Sequence, residues 1–171
     1  MDDTSTLATD ERQALKFFFE QLRETVADSD APQNELLYNA SVLAHYALTS
    51  TTSQDFPRAP LSLVTVFDVF VLDRSQHTDP EIMEAAASQC LLLTGFFGAQ
   101  LKHRHNVEWY ASLGASFYER AAQYGSDRKR SGMMTIMAIR FGFWRRQQAR
   151  LARELADQAR LVRYPMLGSQ N

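Results

Sequence analysis

Apolar positions recur along this chain at the three- and four-residue spacing of helices in nearly every long segment. Leu15, Phe18, Phe19, Leu22 and Val26 form one face of a first helix, with Thr9 a candidate N-cap ahead of Asp10 and Glu11. Leu36, Leu37, Asn39, Ala40, Leu43, Ala44 and Ala47 mark a second helix. The polar, proline-containing run Thr49–Pro60 has no period and is expected to be the main loop.

Leu61–Asp73 suits a buried strand as well as a helix, because it is rich in β-branched and aromatic residues. No second strand candidate exists to pair its backbone, so a helix is expected. Asp79, Pro80 and Glu81 combine an N-cap carboxylate, a first-turn proline and an acid near the helix N-terminus. They predict a helix running to about Lys102. Asn106 caps a further helix along Val107, Tyr110, Leu113, Gly114, Phe117, Tyr118 and Ala121, which ends at Gly125. The last helix is expected from near Met133 to about Val162, with Met137, Phe141, Trp144, Gln148, Leu151, Leu155 and Val162 in a near-heptad stripe. The pattern therefore predicts an all-α bundle of about six helices with a long arginine-rich C-terminal helix.

Composition agrees with one packed domain. Of the 171 residues, 45% are apolar and eleven are Phe, while Gly and Pro number only 7 and 5, a balance that excludes disorder for most of the chain. A flexible 1–8, a helical domain over 9–163 and a flexible tail at 164–171 are expected. Cys90 is alone and pairs with no internal partner, and the first residues are acidic and polar, so a reducing, cytoplasmic setting is expected. The apolar run Cys90–Leu101 falls short of the roughly 20 residues that span a bilayer and reads as a buried helix.

The stretch His103–Tyr110 holds two of the four histidines with Glu108, Trp109 and Tyr110. His103 and His105 are candidate metal ligands, but two-residue spacing puts them on different sides of a helix. Capping is the favoured reading: Lys102 to His105 set positive charge at a helix C-terminus, Asn106 caps the next helix, and Trp109 and Tyr110 enter the core. No phosphate loop, dinucleotide fingerprint, CxxC, HExxH or GxSxG is present. No cofactor is expected, and the commonest enzyme classes lack support. Asp68, flanked by Phe67 and Val69, needs a partner if it faces inward.

The run Leu91–Phe97 (LLLTGFF) followed by Trp109–Ala122 (WYASLGASFYERAA) resembles a pattern in small uncharacterised bacterial all-helical proteins. The resemblance covers about a third of the chain and implies a bacterial, stand-alone helical domain, with no activity attached.

Charge is segregated. From Gly125 onward the chain carries ten basic and three acidic residues, whereas the preceding 124 carry eight and seventeen, for a net charge of −2. The leading expectation is an interaction or adaptor protein that self-associates or docks a protein partner through Arg140, Arg145, Arg146, Arg150 and Arg153. One alternative is a small-molecule, metal or haem-binding protein or enzyme with an interhelical pocket at Tyr38, His45, Asp68, Tyr110 and Tyr118. Another is nucleic-acid binding through the arginines, which the absence of a helix-turn-helix pattern disfavours.

Overall fold

The computed structural model describes residues 3–52, 75 and 77–163. Leu61–Asp73, Asp68 with it, lies outside the described residues. Among those described, the chain is all-α, with no strand and seven helices. They are α1 Asp3–Thr25, α2 Gln33–Thr52, α3 Pro80–Thr94, α4 Gly98–Leu101, α5 Val107–Tyr124, α6 Arg128–Ile139 and α7 Phe141–Arg163. None is long and apolar enough to cross a membrane.

Short polar side chains set three of the starts. Asp79 accepts from the backbone N–H of Glu81 and Ile82 at 3.0 and 3.2 Å, and Pro80 supplies the first helical residue of α3. Asn106 accepts from the Trp109 N–H at 3.1 Å to open α5. A third cap, Asp127 on Lys129 and Arg130, starts α6 in the charged turn after Gly125. The last helix therefore begins some five residues earlier than the apolar stripe predicts. At the other end of the chain, α1 begins at Asp3, which places Thr9 inside the helix rather than at its N-cap.

Two predicted helices are divided. The α3 helix stops at Thr94 instead of reaching Lys102, because Gly95 lies against the backbone of α7. A Cβ there would sit 2.7 Å from the Leu91 carbonyl oxygen and 3.1 Å from that of Arg145. The C-terminal helix bends at Arg140, where φ is −99° and ψ is 16°. Hydrogen bonds from Arg140 N–H to Ile136 and from Trp144 N–H to Arg140 continue past the bend, so α6 and α7 remain stacked end to end.

The core runs through all the longer helices, from Leu22 and Val26 through Leu43, Met83, Cys90 and Leu91 to Phe117, Met137, Trp144 and Leu151. In it α1 pairs with α2, α3 with α5 and α5 with α6, while α7 touches α1, α3, α5 and α6. At Gly114, α5 lies directly against side chains of α3 and α7: a Cβ at that position would lie 2.7 Å from both the Cys90 Cβ and the Phe141 ring. Tyr110 is half-buried, but Trp109 remains 43% exposed instead of entering the core.

Candidate functional site

Polar residues cross the core in a stripe between α2 and α7. On α2 it comprises Glu35 and Asn39; on α7 and the bend it comprises Arg140, Trp144 and Gln148, each four residues from the next. The Glu35 side chain is only 5% exposed, and one of its oxygens accepts from Arg140 Nε at 2.6 Å and from Trp144 Nε1 at 2.7 Å. Asn39 donates to the Glu35 carbonyl at 3.0 Å and accepts from Gln148 Nε2 at 3.1 Å. A carboxylate so deep in a core persists only where donors meet it, and here a cation and an indole do so. The spacing makes this stripe a register device between the two helices.

A second polar cluster sits beside the first. The Tyr38 hydroxyl lies 3.2 Å from Glu84 Oε1 and 3.1 Å from the Tyr118 hydroxyl, and Arg130 closes on Glu84 Oε2 with Nε at 2.9 Å and a terminal nitrogen at 2.6 Å. Burial first, then the neighbouring Tyr118 and Glu84, pushes the Tyr38 phenol well above its usual range, and burial raises Tyr118 as well. Both phenols are therefore fixed as neutral hydrogen-bonding groups.

The remaining pocket candidates stand apart from this pair. His45 is exposed on α2, Tyr110 packs its ring against Trp109 and His105, and Asp68 lies outside the described residues. The segment Lys102–Asn106 is a helix-to-helix corner, with Arg104 and His105 N–H both turned back to the Leu101 carbonyl. His103 is exposed in it. Among the described residues no three metal-capable side chains converge. Cys90 is fully buried, and burial pushes its thiol up to about 12.

The five arginines divide into two sets. Arg140 holds Glu35. Arg145 donates from Nε to the Thr94 carbonyl and from a terminal nitrogen to Glu108, both at 2.9 Å, so it ties the end of α3 and the start of α5 to α7. Arg150 donates to Asp28 at 3.1 Å and holds that carboxyl below its usual range, with Glu154 3.7 Å away. Arg146 and Arg153 are exposed and form no ion pair among the described residues.

These two face an open groove of about 750 Å³. One wall is α7, with Gly142, Arg146, Ala149 and Arg153; the other comprises Gly98, Ala99 and Lys102 from α4 and its end. Val107, Ala111, Ala115, Ala138 and Phe141 contribute apolar surface between them. The single acid on the rim among the described residues, Glu108, is engaged by Arg145. Among the described residues, Lys102, Arg146 and Arg153 therefore leave the groove with uncompensated positive charge above an apolar floor.

Compared with protein-family models, curated proteins and solved structures, the chain matches none of them.

Sequence periodicity alone does not find this groove. Its signal is small residues at helical spacing, Gly142 and Ala149 on one helix and Ala111 and Ala115 on another, which read equally as tight packing between helices. Glu35 left a plainer signal, as an acid one residue before the apolar Leu36.

Proposed function

We propose that this chain is a small cytoplasmic interaction protein of bacterial type that docks a protein partner in the groove between α4–α5 and α7. The observation that carries the reading is the division of the arginines. Three of the five are consumed by internal contacts that build the fold, while Arg146 and Arg153, and Lys102 across the groove from them, form no ion pair among the described residues. Exposed, unpaired cations lining a concave apolar surface suit partner recognition, where charge sets orientation and encounter rate and apolar contact supplies affinity.

A photo-crosslinking residue at Ala149, in the groove wall, tests the reading in cells that make the chain. A protein adduct of one defined mass, absent when the same residue is placed at exposed Asp30 and absent in an Arg146→Glu, Arg153→Glu variant, supports it. No adduct from position 149, or one indifferent to the charge reversal, overturns it.

A further inference from the structure

Four glycines near α7 fall into two kinds. Gly95 and Gly114 are required by packing, since a Cβ at either would collide with backbone or with the Phe141 ring. Gly98 and Gly142 are not: a Cβ on Gly98 meets nothing within 4 Å, and one on Gly142 meets only Arg146 Nη1 at 3.5 Å. Both line the groove, on opposite walls. The internal packing of the described chain gives no reason for a missing side chain at either position. An occupant whose backbone comes close to both walls does.

The charges above this floor have a matching spacing. Arg146 and Arg153 are seven residues apart on one helix, about 10 Å along its axis, and project from the same side. A second helix lying along α7 presents carboxylates at i and i+7 with the same separation. Small side chains on the groove walls allow such a helix the closer end of the ordinary 8–10 Å interaxial range.

Resting on the docking role proposed above, we propose that the occupant is an acidic amphipathic helix of a protein partner. Its acids at i and i+7 pair with Arg146 and Arg153, and its apolar face lies on Val107, Ala111 and Ala115. A nucleic acid fits the groove less well. Single strands need exposed aromatic faces to stack on, and the aromatic ring in the groove, Phe141, is buried. A duplex asks for a broad field of phosphate contacts, and three unpaired cations over an apolar floor do not supply one.

The test is fluorescence anisotropy with a labelled 18-residue helix-forming peptide that carries leucine and alanine on one face and glutamates at i and i+7 beside it. The full-length chain should bind it saturably. Arg146→Glu with Arg153→Glu, or glutamine in place of the peptide's glutamates, should weaken binding at least about tenfold. Gly142→Leu, which fills the groove and removes no charge, should do the same, and Ser112→Leu, on the opposite lining and away from Arg146, serves as a second block if Gly142→Leu does not fold or only displaces Arg146. Arg128→Glu with Lys129→Glu, an equal charge change at the start of α6, should leave affinity within about twofold.

Absent binding, or binding that survives Gly142→Leu and Ser112→Leu, overturns the proposal. So does tighter, groove-dependent binding of single-stranded RNA or duplex DNA, or a dimer of this chain that Gly142→Leu dissolves. If the adduct from position 149 persists while the acidic peptide does not bind, the docking role stands and the acidic helix falls. If neither is seen, both fall.

Discussion

The indole of Trp144 donates to Glu35 at 2.7 Å from the far end of the chain, and it does so on the same oxygen that Arg140 reaches at 2.6 Å. One carboxylate thereby satisfies the only polar atom of a fully buried tryptophan and holds the bend between α6 and α7 onto α2. Arg140→Ala leaves a carboxylate only 5% exposed without its cation and should cost about 3 kcal/mol, the low end for breaking a buried pair, since the indole still donates to it. Glu35→Ala leaves no buried charge, because Arg140 is 34% exposed and turns to water; it strands the indole N–H and should cost less, about 1–2 kcal/mol. Urea unfolding of the two variants checks the order.

The glycines divide in stability as they do in geometry. Gly114→Ala drives a methyl into Cys90 and Phe141 and should destabilise by about 1–3 kcal/mol, as overpacked cores do. Gly132→Ala sits on α6 with nothing within 4 Å and should stabilise by about 0.5–1 kcal/mol through helix propensity. Thermal melting of the pair gives opposite signs if the packing is as described.

Alkaline pH should weaken the fold from the core outward. Burial moves the Cys90 thiol from its usual 9.0 up to about 12, and raises both Tyr38 and Tyr118 above their usual 10.0. Between the unfolded and folded values the unfolded chain has released protons that the folded chain still holds, so rising pH favours unfolding. Stability should decline from about pH 9 upward, and with a smaller slope in Cys90→Ala. Native protein should also leave a thiol reagent such as Ellman's unreacted at pH 8 until urea exposes Cys90.

Charge reversal along α7 should separate structural from exposed arginines. Arg150→Glu opposes both Asp28 and Glu154 and should lower the urea midpoint measurably. Arg146→Glu and Arg153→Glu break no ion pair among the described residues and lie in the basic third of the chain, so stability should stay within about 0.5 kcal/mol.

Local chemistry was legible where it acts locally. Asp79 with Pro80, Asn106 and Gly125 mark helix ends from sequence because a cap involves residues within one turn, and the structure has helices starting and ending there. The Gly95 break was hidden in an apolar run because its cause is the α7 backbone, fifty residues away in sequence. The bend at Arg140 was hidden likewise, since the apolar stripe continues through it and only the distant Glu35 gives Arg140 its direction. For the candidate site, the sequence shows that arginines are concentrated on the last helix. Which of them are spent internally depends on Glu35, Thr94, Glu108 and Asp28, whose proximity only the folded chain creates.

The reach of the Glu35 contacts bears on how the chain is born. Its two partners are 105 and 109 residues further on. At ordinary rates of synthesis, about 5–20 residues per second, the ribosome makes them roughly 5–20 s after Glu35 itself. Throughout that interval α1 and α2 can pair, but their polar stripe has no cation or indole to meet it and must remain open to water. The hairpin made first is therefore sealed last, and a nascent chain stalled before Arg140 should expose Glu35 and Asn39 to chaperones and proteases that never see them in the finished protein.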